Sequence, residues 1–344
     1  MGNVLVIRFS SLGDVVMTSA VIEALSVLPE QRVTLLTRAS YAPVFSADPR
    51  LAGLIGIEGG ESPRAISALA GDGIDTVVDL HDTLRSRAVS ALVKAPLKLR
   101  VDKHALARRL MIWTRNRFRR SFDVLGSYLE TVRPLGVTGR TLPRLFIAEQ
   151  ARAAAETLLA TAGVSGGRVI GIAPGSRHGE KRWGAESYAV LADLLLARGD
   201  VPVFIGDSDD AEYIGVIAAH MHGAAPSLAG KADLGVTAAL ISRLDGLVCN
   251  DSGPMHLAGA LGTPCAAIFG PTHPDLGFVP GYPRGAVLHS GVPCSPCSLH
   301  GSIPCRLGTH RCMVEITPNQ VFHALDEMRL NSGSQDYGMS GIKE

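Results

Sequence analysis

This sequence has no long apolar run. None approaches the roughly 18 residues that a membrane-spanning helix requires, so no transmembrane segment is expected. No charged leader and cleavage site precede the first strand-like stretch at Val4, which argues against a signal peptide and for a cytoplasmic protein. Excess charge is missing too. The formal net charge is +1, which leaves the molecule as a whole without an electrostatic reason to seek nucleic acid. The first loop lacks the G-x-G-x-x-G spacing of a dinucleotide site. No D-x-D motif is identified as a holder for a divalent ion, so neither a cofactor nor a catalytic metal is expected. The six cysteines are expected to be reduced or metal-bound in a reducing compartment. Cys249 and Cys265 fall in strand-like apolar runs and read as core. Cys294, Cys297, Cys305 and Cys312 form a C-x2-C-x7-C-x6-C pattern that could hold zinc, with free thiols as the default.

What is present is an ordinary globular composition, 46% hydrophobic and 19% charged over 344 residues, enough for about two domains. Short apolar strand-like runs at 4–9, 32–37 and 76–80 alternate with helical spacing such as that at 15–28. An Ala-rich helical stretch at 148–162 ends in Gly163, Gly166 and Gly167. A second alternation then begins. Strands are expected at 169–173, 201–206, 246–250 and 265–269, and helices at 185–197, 209–220, 234–243 and 255–261. Strands of this kind, separated by helices, indicate parallel sheets covered on both faces. The expected architecture is α/β with two Rossmann-like, doubly wound lobes facing across a cleft. They comprise residues 1–150 and 151–330, followed by a flexible tail at 331–344. A last helix at 316–328 is expected to be capped by Thr317 with Pro318 in its first position. Open sheets of this type bind ligands beyond the carboxyl ends of their strands, so the loops that follow strands are the places to look.

The first such loop reads Arg8-Phe9-Ser10-Ser11-Leu12-Gly13-Asp14. Ser10 and Ser11 offer hydroxyls, and Asp14 stands at a helix start, where the dipole favours a carboxylate. It could be a base or a mere helix cap. A second loop, from Ala173 to Trp183, carries Gly175, Ser176 and Lys181. Backbone N–H groups, a hydroxyl and a mobile cation suit a diphosphate. The third loop is Asn250-Asp251-Ser252-Gly253-Pro254-Met255-His256, a polar turn from which a helix starts at Pro254 and aims free N–H groups at an anion. Asp251 is expected to accept hydrogen bonds from the backbone or a hydroxyl rather than meet phosphate. His256 could face the cleft or be a half-buried histidine. Gly206–Glu212 also follows a strand. Its acids could bind ribose hydroxyls or simply be solvated. Between Lys94 and Arg120 stand ten Lys/Arg and a single acid, Asp102, with Trp113 and Phe118 interleaved. That excess fits a phosphorylated acceptor or an anionic membrane surface better than a solvated helix face. Arg85 could join it.

Taken together, Ser11-Leu12-Gly13-Asp14, Lys181-Arg182-Trp183 and the Asn250–His256 run resemble the bacterial heptosyltransferase family, glycosyltransferase family 9. The resemblance covers nearly the whole chain and is nearest to the members that add the second heptose of the inner core. It implies a GT-B fold and an inverting, metal-independent transfer from a nucleotide-diphosphate sugar. The donor would be ADP-heptose and the acceptor a phosphorylated lipopolysaccharide core, with peripheral contact at the cytoplasmic face of the inner membrane. By that resemblance Asp14 takes the base position and Lys181 the other catalytic one. Ser176, Lys181, Glu212, Asp251, Ser252, Gly253 and His256 take the donor side. Ser10, Ser11, Arg85, Arg108 and Arg109 are expected on the acceptor side. Gly184 stands where the family pattern K-x-W-P has proline, which loosens the helix start but leaves Lys181 in place. The alternatives are a same-fold transferase with another nucleotide-sugar donor, a sugar-nucleotide epimerase or hydrolase, and a non-catalytic binding module.

Overall fold

A computed structural model of the chain describes residues 2–115, 117, 120–279 and 282–330. The tail expected from residue 331, and Phe118 of the basic segment, lie outside them. The chain forms two compact units. One holds the residues up to Ala105 together with Asp123–Ala148. The other holds Leu106–Phe122 and everything from Glu149 onward. The basic segment expected in the N-terminal lobe is thus divided, its second half belonging to the second unit.

In the first unit the strands are β1 (Gly2–Ile7), β2 (Gln31–Arg38), β3 (Leu51–Ile57), β4 (Thr76–Asp79) and β5 (Leu97–Arg100). All neighbours are parallel, in the order β3-β2-β1-β4-β5. The helices are α1 (Leu12–Ser26), α2 (Pro63–Leu69), α3 (Leu84–Leu92), α4 (Ala105–Trp113) and α5 (Val124–Val132), although α4 groups with the second unit beyond Ala105. The central strands read as unbroken apolar runs because both their faces are covered. The edge strand β5, Leu-Lys-Leu-Arg, is largely exposed and its cations discourage pairing with another chain.

The second unit adds α6 (Glu149–Thr161), β6 (Val169–Ala173), α7 (Ala185–Ala197), β7 (Val201–Phe204) and α8 (Ala211–His220). It continues with α9 (Leu234–Ser242), β8 (Gly246–Asn250), α10 (Gly253–Leu261), β9 (Cys265–Phe269), β10 (Gly285–His289), α11 (Arg311–Val314) and α12 (Pro318–Leu330). Its sheet is also parallel, ordered β10-β9-β8-β6-β7. Counted from β6, that is the flavodoxin-like order, whereas the first sheet has the Rossmann order. The expected α/β, doubly wound fold holds in both units. Pro318 opens α12, and the Thr317 hydroxyl accepts from the Gln320 amide at 3.3 Å. The sequence pattern missed β3, β5 and β10. β3 carries two glycines, and the other two are edges with little apolar signal. Each unit has its own core. Trp183 and Tyr188 anchor the second, both fully buried with ring centroids 4.9 Å apart.

In each sheet the strand order reverses direction at one place. In the first this lies between β1 and β4, in the second between β6 and β8. Ligands of open α/β sheets bind at such switch points, and the sequence motifs fall on the loops that leave these four strands.

Candidate active site

In the first unit the loop after β1 leads through Ser10 and Ser11 into α1, with Asp14 in the first turn. Asp14 is not held by its helix alone. Its Oδ2 accepts from the Ser11 hydroxyl at 2.8 Å and the Ser11 amide at 3.3 Å, and pairs with Arg8 Nη2 at 2.6 Å. Its Oδ1 accepts from the Tyr128 hydroxyl at 3.0 Å. Arg8 is itself buried at 6% exposure, donates to the Leu80 carbonyl at the end of β4, and lies over the Tyr128 ring. An ion pair this buried draws on further hydrogen bonds: Asp14 receives them on both oxygens and Arg8 donates to the Leu80 carbonyl, while Arg8 Nε is buried without a hydrogen-bond partner among the described residues. Asp79 closes the other side of the switch point. It is 1% exposed and accepts from the His81 and Asp82 amides, each at 2.9 Å, and from the Ser86 hydroxyl at 2.9 Å. Burial, with the charges of Arg8 and Lys103, pushes His81 down to about 3, so the ring is neutral. Burial and Arg8 also lower the Lys103 ammonium. Sequence reasoning missed Tyr128, which comes from α5, 114 residues from Asp14, and it gave Arg8 no role. No local signal could have found either. Arg85 is spent on the carbonyls of Gly59 and Glu61 at 3.1 and 2.9 Å, with its guanidinium over Phe9.

In the second unit Asn250 joins the two site loops. It is fully buried at the end of β8. Its side-chain oxygen accepts from the Trp183 amide at 3.1 Å and the Tyr188 hydroxyl at 3.0 Å, and its amide donates to the Pro174 carbonyl at 2.8 Å. The loops after β6 and β8 are thereby locked side by side. The lock brings Lys181 Nζ to 2.8 Å from Asp251 Oδ2, and Asp251 also accepts from the Thr272 hydroxyl at 2.7 Å. Asp251 therefore fixes the ammonium, which keeps donors for a further anion. Ser252 stands just before α10, its hydroxyl donating to the Asn250 carbonyl at 3.2 Å, and the helix begins at Gly253, one residue earlier than expected, with Pro254 next. Ser176 is buried on the facing loop. His256 is 5% exposed, and its Nδ1 lies 3.3 Å from the Tyr282 hydroxyl.

The acids after β7 separate. Glu212 is exposed on α8. Asp210 sits against Gly175 and Gly206, where a Cβ would collide with its carboxylate, and 3.8 Å from Arg182. Burial and neighbouring Asp207 raise it. Asp207-Ser208-Asp209 does spell D-x-D, contrary to the reading above. Its leading carboxylate is occupied within the turn, accepting from the Asp209 and Asp210 amides at 3.0 and 3.2 Å. Among the described residues no group of three or more His, Cys, Asp or Glu is arranged to hold a metal ion. That includes the four loop cysteines, none of which is in a disulfide. The cysteine loop has another position of note. Gly301, in the left-handed region at φ +75, packs against the Lys181 stem, and Glu180 ties the loop down by accepting from the Cys305 amide at 3.0 Å and meeting His310 at 2.7 Å.

Arg108 and Arg109 diverge although adjacent. Arg108 is 7% exposed, its guanidinium between the rings of Phe122 and Phe278 at 5.3 and 5.1 Å, whereas Arg109 is exposed. Only Arg109 is presented to solvent on α4.

Two parallel five-stranded α/β units, with ligand loops at their switch points, define the GT-B class of proteins. The chain belongs to glycosyltransferase family 9 (heptosyltransferase), whose model matches residues 64–303. It is 32% identical over 167 residues to lipooligosaccharide heptosyltransferase 2 of Haemophilus ducreyi, an alignment covering 46% of this chain and 47% of that protein. The chain thus spans about half the length of the curated relatives it matches first. Its fold matches a glycosyl transferase family 9 structure from Veillonella parvula with a TM-score of 0.82 at 24% identity, over 96% of this chain and 98% of that one. It also matches the E. coli ADP-heptose lps heptosyltransferase II with a TM-score of 0.76 at 24% identity, over 97% and 100% of the two chains. Among the described residues no helix is long and apolar enough to cross a membrane.

Proposed function

We propose that this chain is an inverting glycosyltransferase that moves a heptose from ADP-heptose onto the inner core of lipopolysaccharide, working in the cytoplasm without a metal ion. The observation that carries the reading is a division of labour between switch points. One presents a carboxylate anchored on both oxygens, Asp14. The other presents an anchored ammonium, Lys181, near the start of α10. In this reading Asp14 accepts the proton of the acceptor hydroxyl as that oxygen attacks the anomeric carbon. The bond from that carbon to the diphosphate breaks, and its electron pair leaves with the nucleoside diphosphate. Lys181 and the free N–H groups of α10 stabilise the charge that grows there. Attack from the face opposite the leaving group inverts the anomeric centre. Asp251 and Thr272 hold Lys181 in place, Ser176, Ser252, Gly253 and His256 complete the donor side, and Asp210 rather than exposed Glu212 is the carboxylate next to the Gly175 loop. Ser10, Ser11 and exposed Arg109 stand on the acceptor side. The names of the relatives supply the heptose, the adenosine diphosphate and the lipopolysaccharide acceptor. The test is mass spectrometry of inner-core acceptor incubated with ADP-heptose and purified protein, with and without excess chelator. One added heptose in both arms is the expected result. Donor turnover without acceptor would mean a hydrolase or epimerase. Activity lost with chelator and restored by Mg²⁺ would remove the metal-free mechanism.

A further inference from the structure

Glu180 stands beside Lys181 and takes no part in the chemistry above. Its carboxylate is one residue from the ammonium proposed to meet a diphosphate, where a free negative charge would oppose the donor. The structure shows that charge engaged elsewhere. One oxygen, Oε2, accepts from the Cys305 amide at 3.0 Å and lies 2.7 Å from His310 Nε2. Both partners belong to a strap at 298–310 within the cysteine loop. The strap begins at buried Ser298, whose amide donates to the Pro271 carbonyl at 3.1 Å and whose hydroxyl accepts from the Gly301 and Ser302 amides at 2.9 and 3.1 Å. It runs into α11, where Cys312 and Met313 are buried. Between these ends residues 302–304 and 306–309 are exposed, so little packing holds the strap down. Gly301 is buried in the middle of it. It rests on the lysine stem so closely that a Cβ would lie 2.3 Å from Lys181 Cγ. Lys181 is thus gripped at two points, its tip by Asp251 at 2.8 Å and its stem by Gly301.

We propose that Glu180 positions Lys181: by holding the 298–310 strap through Cys305 and His310, it keeps Gly301 on the lysine stem and the ammonium in one orientation toward the donor diphosphate. Asp251 alone fixes only the tip of a flexible four-carbon stem. A lysine left mobile loses rotamer freedom when the ligand binds, and one held beforehand does not. Glu180 acts through the strap and not by contact with the donor. The inference rests on the reading above, in which Lys181 meets the diphosphate, and adds the element that aims it. One of its tests reads Lys181 itself and does not depend on transfer.

The full-length chain is tested by ADP binding in a calorimeter, by its melting temperature, and by the rate at which a small acylating reagent labels Lys181, read by mass spectrometry. Glu180→Ala should weaken ADP binding about threefold to tenfold, the worth of a hydrogen bond. It should raise the donor KM, leave the acceptor KM unchanged and speed labelling of Lys181. His310→Ala, at the more exposed end of the contact, should do the same. Glu180→Gln can still accept from the Cys305 amide and share a hydrogen bond with His310, and should restore most of the ADP affinity. Glu180→Ala combined with Gly301→Ala should weaken binding by less than the product of the single effects, because both act through one contact. Arg306→Gln, on an exposed part of the strap, should change nothing. Parental ADP affinity and labelling in Glu180→Ala and His310→Ala would overturn the proposal. So would full additivity with Gly301→Ala, or a loss in Glu180→Ala that His310→Ala does not share, which would make Glu180 a direct donor contact. Faster labelling of Lys181 with ADP affinity intact would instead count against the diphosphate role of Lys181, and so against the proposed function alone.

Discussion

Asparagine at position 14 is the most informative single change, because the structure predicts two separable losses. As a helix cap alone, Asp14 could be replaced by asparagine at almost no cost. Its surroundings say otherwise. Arg8 is 6% exposed, and its ion pair with Asp14 is 2.6 Å long. Asp14→Asn leaves that guanidinium buried without its nearest counter-charge, a loss that typically costs about 3–5 kcal/mol. Asp79 nearby and the Leu80 carbonyl still engage Arg8, so the lower end applies, about 3 kcal/mol. The first unit should then melt roughly 6–12 °C lower. Independently, an amide cannot take a proton, so transfer should fall by about 10²–10⁴-fold at temperatures where the variant is folded. Donor affinity should hardly change, since the proposed donor contacts are Lys181, Ser252 and their neighbours. The measurements are a thermal melt, donor binding by calorimetry and single-turnover transfer. Tyr128→Phe separates the two losses. It removes only the hydroxyl donated to Oδ1, costs about 0.5–1.5 kcal/mol, and should lower kcat while leaving the donor KM unchanged. An Asp14→Asn protein that melts and turns over like the parent would refute both the buried-pair argument and the base assignment.

Gly301→Ala should weaken donor binding about tenfold or more without altering any charge. Its Cβ would collide with the Lys181 stem, and displacing the ammonium forfeits a charge-assisted hydrogen bond of about 1.5–3 kcal/mol. Gly308→Ala in the same loop shares the left-handed φ but meets nothing within 4 Å. Equal donor dissociation constants for the two variants would show that backbone strain, not Lys181, is responsible. For pH, burial and neighbouring His273 lower His289 to about 4, so the native ring is neutral while the unfolded one protonates near 6.5. The unfolded state binds more protons in that window. Stability contributed by His289 is therefore complete above about pH 6.5 and is lost as the pH falls toward 4, by up to about 2 kcal/mol between 6.5 and 5 before solvent screening reduces it. His289→Gln should flatten the denaturant midpoint against pH over that window, and a parallel curve would remove His289 as a cause.

Periodicity and turn chemistry were enough to read two α/β units from the sequence, because strands covered on both faces must be apolar throughout and the residues after them are then free to be polar. The same local logic picked out Asp14, Lys181 and the Asn250–His256 turn, since each lies within a few residues of a strand end. Partnership was beyond it. Tyr128 reaches Asp14 across 114 positions, and Asn250 reaches Trp183 across 67. Only the strand order decides which loops become neighbours, and the two sheets have different orders. Adjacent arginines part for the same reason. Arg108 and Arg109 are chemically identical in sequence, but one turn angle places the first between Phe122 and Phe278 and the second in solvent. Composition showed that cations gather between Lys94 and Arg120. Burial, which depends on what packs against a helix rather than on what the helix contains, decided which of them can meet a partner.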